Sequence, residues 1–287
     1  MTARRLVAAF VALLALGGAA FWLGGSYIVA PANVPVPPLP DGLMGEPVSF
    51  ANDSGNEVRG TLIPGRPGAG VVMLMHGIRA NRAEMYGRAR FLAAAGYTVL
   101  LFDFQAHGET PGKHITAGFR ESDDARAARS YLHRRWPEAR VGAIGSSMGG
   151  AAMLLASPPL ALNALVLEEV YPTIEDAVAH RLRVRLGPLG DLVLAPLMLQ
   201  LDLRLGIDAQ ALRPVERVAA MGAPVLIIGG AEDRYTPPAD TRRLYDAGVE
   251  PKQLWIVDGV GHQDVHRAAG GAYESRVLGF LATYLRP

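Results

Sequence analysis

Apolar residues along the chain occur in blocks of two kinds. Short continuous apolar runs are typical of strands buried on both faces of a sheet, and they lie at 70–77, 97–104, 140–147, 164–171, 224–230 and 252–259. A run at 57–64 predicts an outer strand. Residues 81–95 and 118–136 carry apolar residues at helical spacing. Strands that alternate with helices predict an α/β fold, a mostly parallel sheet with helices on both faces.

One interval, residues 172–221, breaks this alternation. A structureless loop of that length is uncommon in a compact domain, so the interval is predicted to be a helical cap inserted over the carboxyl ends of the strands. Three roles are open for its apolar residues: lining an acyl pocket, leaning on a bilayer, or packing the cap onto its own domain. These residues are Leu186, Leu189, Leu192, Val193, Leu194, Leu197, Met198 and Leu199.

The N-terminal segment predicts a membrane helix. Arg4 and Arg5 precede residues 6–25, which have no polar side chain, and twenty helical residues span about 30 Å, the thickness of a bilayer core. We expect residues 1–30 to be an uncleaved anchor; a signal peptide cleaved near Ala30 is the alternative and would give a secreted protein. The arginines predict a single-pass protein whose remaining chain lies on the outer side, periplasmic or extracellular.

Composition excludes several kinds of site. Residues 31–47 contain six prolines, so 31–46 is predicted to be a semi-rigid linker before a domain at 47–287. The net charge of +1 gives no support for a nucleic-acid partner, and the absence of cysteine excludes disulfides and thiolate sites. Neither a His-Glu-x-x-His metal motif nor a dinucleotide fingerprint occurs, so no metal and no cofactor is predicted.

A glycine-rich segment, AIGSSMGGAA at 143–152, follows an apolar run. Gly145, Ser147 and Gly149 fit G-x-S-x-G, a sharp strand-to-helix turn that exposes a nucleophilic serine. Ser146 is out of phase with that turn. The pattern also fits a glycine-rich turn with incidental serines, so the assignment of Ser147 depends on the rest of the site.

A serine hydroxyl needs a base, and the base needs a carboxylate that fixes its tautomer. His262 follows the last predicted strand and is the candidate base, while Asp233 ends the preceding strand and is the candidate carboxylate. The order Ser147, Asp233, His262 is the order expected of one fold in particular. The alternative carboxylates are Glu168, Glu169 and Glu232. The histidines without a predicted role are His114, His133, His180 and His266, the last expected at the surface.

An oxyanion intermediate needs two backbone N–H donors. Met148, directly after the nucleophile, supplies one. The loop after an early strand, MLMHGIRAN, supplies the other, with Ile78 as the expected donor. His76 in this loop is expected to be a structural imidazole rather than a second base.

These motifs together resemble the α/β-hydrolase superfamily over about 47–287. HGIRANR and DFQAHGET are similar to the H-G-x-x-x-N-R and D-x-x-x-H-G-x-[ST] segments of bacterial esterase-like members, although Gln105 and Glu109 replace a common Arg and Ser. The G-x-S-x-G-G form also resembles the prolyl-oligopeptidase-like branch. The resemblance implies the α/β-hydrolase fold with a cap.

The combined expectation is a serine hydrolase that cleaves small carboxylic esters through an acyl-enzyme on Ser147. A peptidase or an acyltransferase would use the same residues, so both remain alternatives. A membrane-anchored binding protein without catalysis is the alternative from another class. The expected partners are a small ester or acyl substrate and, through residues 1–30, a membrane.

Overall fold

The computed structural model describes residues 3–286, and in this part of the chain one eight-stranded sheet forms the centre. The strands are β1 (Glu46–Ala51), β2 (Glu57–Ile63), β3 (Val71–Met75), β4 (Thr98–Phe102), β5 (Val141–Ser146), β6 (Ala164–Glu168), β7 (Val225–Gly230) and β8 (Lys252–Val257). Their spatial order is β1-β2-β4-β3-β5-β6-β7-β8. β2 pairs antiparallel with β1 and β4, and all other pairs are parallel.

The helices are α1 (Ala3–Val29), α2 (Tyr86–Ala94), α3 (Glu121–Arg135), α4 (Met148–Leu155), α5 (Ile174–Leu186), α6 (Gly190–Leu205), α7 (Pro238–Ala247), α8 (Val265–Ala269) and α9 (Gly271–Leu285). Two apolar cores lie on opposite faces of the sheet, since Leu100 and Phe102 of β4 belong to one core and Val99 and Leu101 to the other. α3 and α4 pack on the first core, and α2 and α9 on the second. This confirms the predicted α/β-hydrolase fold, a mostly parallel sheet covered on both faces.

β1 was absent from the predicted strands. It is one of the two edge strands, and only Phe50 among its residues is buried, so it lacks the continuous apolar run that identifies a central strand. Its pairing with β2 in register Phe50 to Val58 adds the strand to the sheet.

A pair of helices, α5 and α6, separates β6 from β7 where the sequence predicts a cap. The Thr173 side chain accepts a hydrogen bond from the Asp176 N–H at 3.1 Å and caps α5, which ends at Gly187. α6 ends at Gly206, whose φ of 65° is left-handed. Short 3₁₀ turns at Ala209–Ala211, Pro214–Glu216 and Val218–Met221 return the chain to β7.

Two segments are long and apolar enough to cross a membrane: Phe10–Val29, of which 6% is buried, and Ile174–Leu205, of which 11% is buried. The second consists of α5 and α6, which are separated at Gly187 and pack against each other.

The proline-rich segment after α1 lies along the domain. The Ala32 N–H donates to the Ala106 carbonyl at 2.7 Å, and Asn33 Nδ2 donates to the Thr110 carbonyl at 2.8 Å. Tyr86 Oη donates to the Pro37 carbonyl at 2.8 Å. The segment is thus bonded to the loop that follows β4, while its limits at 31 and 46 stay predictions.

Candidate active site

Ser147 lies at the turn between β5 and α4. Its φ of 47° and ψ of −110° are strained for a residue with a side chain. The turn closes tightly: a Cβ on Gly145 would lie 2.5 Å from Gly150 N, and one on Gly149 would lie 2.3 Å from the Met75 carbonyl oxygen. Glycine is therefore needed two residues before and two residues after Ser147. Ser146 is the last residue of β5, and Ser147 alone occupies the strained position.

Asp233 and His262 meet beyond the ends of β7 and β8. The Nδ1 atom of His262 lies 2.8 Å from Oδ2 of Asp233. The other carboxylate oxygen accepts the N–H groups of Tyr235 at 2.7 Å and Thr236 at 2.8 Å. These donors fix the orientation of the Asp233 carboxyl group, so that its other oxygen accepts the proton carried by Nδ1 of His262. Within the described residues Nε2 makes no hydrogen bond, so it is available as a base.

The alternative carboxylates Glu168 and Glu232 lie elsewhere. Glu168 pairs with Arg88 at 2.5 Å and accepts a hydrogen bond from the Tyr273 hydroxyl, so it is part of a buried structural cluster. Glu232 is exposed.

Glu169, in contrast, stands beside the histidine. Its Oε2 is 3.8 Å from His262 Nδ1, and only 4% of the residue is exposed. Burial, followed by the charge of Asp233, raises the pKa of Glu169 from 4.5 to about 9. At neutral pH Glu169 is therefore a neutral carboxylic acid beside His262.

Met148 and Ile78 are the two residues whose backbone N–H groups the sequence predicts as oxyanion donors. Met148 is the first residue of α4, and neither its N–H nor that of Ile78 donates a hydrogen bond within the described residues. The neighbouring Gly77 N–H is occupied, because it donates to Glu84 Oε2 at 2.6 Å. In the loop after β3, Ile78 is thus the residue with a free donor next to Gly77.

The loop after β3 is held by buried polar contacts. His76 is fully buried; its Nδ1 lies 2.8 Å from the Gly77 carbonyl oxygen, and its Nε2 accepts the Phe104 N–H at 3.1 Å. Burial lowers the pKa of His76 to about 3, so the ring is neutral and structural. Arg82 pairs with Asp103 and, at 2.6 Å, with Glu109.

Glu109 and Gln105 are the two residues that depart from the esterase-like pattern, and Gln105, like Glu109, has a contact in the scaffold. Its Nε2 donates to Glu121 Oε1 at 2.9 Å.

Comparison with known proteins identifies the family of the chain. The model of the family described as serine aminopeptidase, S33, matches residues 66–169. An uncharacterized protein of Mycobacterium tuberculosis is 30% identical over 285 residues, which cover 96% of this chain and 94% of that protein. The chain belongs to the α/β-hydrolase superfamily.

Other α/β-hydrolase relatives have more specific names. A monoacylglycerol lipase of Mycolicibacterium smegmatis is 28% identical over 232 residues, covering 68% of this chain and 81% of the lipase. An esterase of Pyrococcus furiosus has the same fold with a TM-score of 0.74 at 23% identity, covering 90% of this chain and 98% of the esterase.

The two carboxyl groups beside His262 in this α/β-hydrolase raise the question of a metal ion. Donor atoms of Glu169, Asp233 and His262 lie within 4.8 Å of one another. However, Nδ1 of His262 and Oδ2 of Asp233 are in direct hydrogen-bond contact at 2.8 Å, and both oxygens of Asp233 already have partners. This is the geometry of an oriented acid–base pair rather than of a metal cage.

The sequence reasoning missed Tyr235, which lies in the loop after β7 beside the histidine, and Arg181 of the cap helix α5, which lies over the Tyr235 ring. The Tyr235 ring lies 5.6 Å from the His262 ring, between centroids, and Arg181 of α5 stands 5.3 Å from the Tyr235 centroid. His180 Nδ1 lies 3.2 Å from Asp240 Oδ2 on α7. No sequence pattern identifies Arg181, because its position depends on how the cap folds back over the domain.

Proposed function

We propose that the chain is a serine hydrolase that cleaves carboxylic esters through an acyl-enzyme on Ser147. The observation that carries the proposal is the Asp233–His262 pair, oriented by backbone donors and lying beyond the same sheet edge as the strained Ser147 turn. The names of the lipase and the esterase among its relatives support an ester substrate.

The acylation step follows from the contacts. His262 Nε2 takes the Ser147 proton as the hydroxyl oxygen attacks the ester carbonyl carbon, and Asp233 stabilises the imidazolium through Nδ1. The N–H groups of Ile78 and Met148 donate to the oxyanion. Collapse of the tetrahedral intermediate expels the alcohol, which receives its proton from His262.

Deacylation repeats these roles with water as the nucleophile. His262 takes a proton from water, the hydroxyl attacks the acyl carbon, and the carboxylic product leaves as Ser147 regains its proton. Each oxyanion donor is worth about 2.7–4 kcal/mol of barrier in enzymes of this kind.

The first prediction compares the two adjacent serines. The full chain in detergent should hydrolyse short p-nitrophenyl esters, and Ser147→Ala should lower kcat by at least about 10⁴-fold because the nucleophile is lost. Ser146→Ala is the matched control, since Ser146 ends β5 outside the strained position, and it should retain activity.

A fluorophosphonate probe separates catalysis from binding in the same variants. It should label the full chain and Ser146→Ala but not Ser147→Ala. Equal turnover by Ser147→Ala and the unaltered chain would contradict the proposal, and an unlabelled, inactive chain would favour a binding protein on this fold.

A peptidase is the second candidate, favoured by the description of the matching family model. An aminopeptidase needs a negative charge for the substrate ammonium. The carboxyl nearest to His262 apart from Asp233 is Glu169, whose pKa is raised to about 9, so at neutral pH it supplies no such charge. A panel of aminoacyl anilides beside the esters tests this alternative, and faster turnover of the anilides would replace the ester proposal.

We also propose that α1 is an uncleaved anchor that holds the domain on the outer side of the membrane. Arg4 and Arg5 at its start and the apolar segment Phe10–Val29 support this topology. The mass of the mature chain tests it, because a chain that begins near residue 33 would be secreted instead.

A further inference from the structure

One face of the cap helix α6 is apolar and open to its surroundings. Leu189, Leu192, Pro196, Leu199 and Leu203 recur at spacings of three and four residues, which places them on one side of the helix. The four leucines are between 58% and 74% exposed. From Leu189 to Leu203 this stripe is roughly 21 Å long at 1.5 Å per residue. We call these five residues the α6 stripe.

The opposite side of α6 makes the packing contacts. Met198 and Leu201 lie against the core under the cap and Leu205 is buried there, whereas Gln200 is buried toward α1. The leucines of the stripe therefore do not hold the cap onto its domain. An apolar surface of this extent marks a contact with another apolar phase.

The membrane-spanning candidate α1 packs against the same helix. The Arg204 guanidinium lies 3.8 Å from the centroid of the Trp22 ring, and its Nη1 donates to Ser26 Oγ at 2.7 Å. Gly25 permits the close approach, since a Cβ there would lie 2.0 Å from Gln200 Oε1. α1 and the C-terminal turns of α6 thus share a seam.

This seam fixes the depth of α6 relative to a bilayer. Trp22 and Tyr27 lie near the end of α1, and aromatic residues at the ends of a membrane helix sit at headgroup level. Arg204 covers the Trp22 ring, and the Arg79 guanidinium lies 4.8 Å from the Tyr27 centroid. The C-terminal end of α6 is therefore at the membrane surface when α1 spans the membrane.

We infer that the α6 stripe is a bilayer-contact surface, through which the cap rests on the leaflet next to the domain. The inference rests on the proposed anchor, and its occupant is lipid because the stripe is continuous with a seam to the membrane helix. It places the cap, and with it Arg181 over the Tyr235 ring that lies beside His262, next to acyl esters held in the membrane.

The test uses the absence of cysteine from the chain, which makes any introduced cysteine unique. Full-length Leu192→Cys and Leu199→Cys are labelled with an environment-sensitive fluorophore and reconstituted into phosphatidylcholine vesicles. The matched control is Val249→Cys, which is 49% exposed and lies before β8, at the amino ends of the parallel strands, whereas the cap follows the carboxyl end of β6. Labels at 192 and 199 should show blue-shifted emission and be quenched by doxyl-lipid, and the label at 249 should be quenched by aqueous iodide.

Three other outcomes would contradict the inference. The chain could float with vesicles while its labels at 192 and 199 behave like the label at 249. This result would contradict the bilayer contact of the α6 stripe but not the membrane anchor. A chain that does not float overturns both. Protection from iodide without quenching by doxyl-lipid, lost when lipid is added in excess, would show a second copy of the chain on the stripe. Repeating the measurement in Ser147→Ala keeps the result independent of catalysis.

Discussion

At the scale of single residues, the site sets two carboxyl groups beside one histidine in different surroundings. One oxygen of Asp233 accepts two backbone N–H groups and the other faces His262, while Glu169 is buried beside it and is neutral at pH 7. Asp233→Asn should therefore lower kcat by about 10⁴-fold through loss of the correct histidine tautomer. Glu169→Gln keeps both shape and charge and should change kcat by no more than a few-fold. Ester turnover by both variants is the measurement.

One outcome would contradict the assignment of Asp233 as the carboxylate that orients His262. If Glu169→Gln lost as much activity as Asp233→Asn, Glu169 rather than Asp233 would be orienting His262. Circular dichroism of both variants is the control for folding.

The raised pKa of Glu169 also predicts how the free energy of unfolding depends on pH. The folded chain keeps the Glu169 proton up to a pKa of about 9, while the unfolded chain releases it near 4.5. The unfolded state thus binds fewer protons between these values, and folding stability falls as pH rises, by at most about 1.4 kcal/mol per unit. Glu169→Gln removes this loss. The free energy of unfolding of this variant in urea, relative to that of the unaltered chain, should therefore increase from about pH 5 to about pH 8.

The exposed Glu232→Gln is the control for that series. Its free energy of unfolding is measured over the same pH range as that of Glu169→Gln. A Glu169→Gln curve parallel to that of the unaltered chain would mean that the buried carboxyl does not titrate between the two states.

Sequence reasoning could find Ser147, Asp233 and His262 because each follows a predicted strand, and the ends of parallel strands meet at one edge. It could not choose between Glu168 and Glu169, which are adjacent at the end of β6. The choice is made by side-chain direction: one carboxyl turns to Arg88 and the other to His262. Burial and neighbouring charge then set ionisation, and neither is visible in residue spacing.

At the scale of elements, the seam between α1 and α6 depends on one glycine. Gly25→Leu should force Gln200 and Arg204 away from α1, because a Cβ at this position already overlaps the Gln200 side chain. Gly24→Leu is the matched control, since a Cβ at Gly24 would meet no described atom within 4 Å. Spin labels at Leu23→Cys and Leu203→Cys should report a longer or broader distance distribution only in Gly25→Leu. Equal distributions in both variants would contradict the seam.

The sequence predicted the strands that are buried on both faces of the sheet and missed the edge strand β1, which is mostly exposed. The run at 97–104 contains β4, Thr98–Phe102, and every residue of that strand is buried. The helix expected at 81–95 is a 3₁₀ turn at Arg82–Met85 followed by α2. For α6 the spacing of leucines reveals an apolar face, but the same spacing fits a face turned to the core or away from it.

At the scale of the whole molecule, a buried ion cluster joins distant parts of the chain. Arg88 of α2 is 1% exposed, pairs with Glu168 at the end of β6, and lies 2.9 Å from Asp264 Oδ1. Tyr273 of α9 donates to the same Glu168. Asp264 caps α8 two residues after His262, so the cluster also supports the loop that carries the base.

Removal of one partner from this cluster should cost more stability than removal of both. Arg88→Met leaves the Glu168 carboxylate buried without its cation and should lower the free energy of unfolding by about 3–5 kcal/mol. Arg90→Met, an exposed position on the same helix, should change it by no more than about 0.5 kcal/mol. Adding Glu168→Met to Arg88→Met should recover part of the loss, because no unpaired charge then remains at β6. Urea unfolding followed by tryptophan fluorescence measures all three variants. A double variant less stable than Arg88→Met would mean that Glu168 stabilises the fold through Tyr273 rather than through the ion pair.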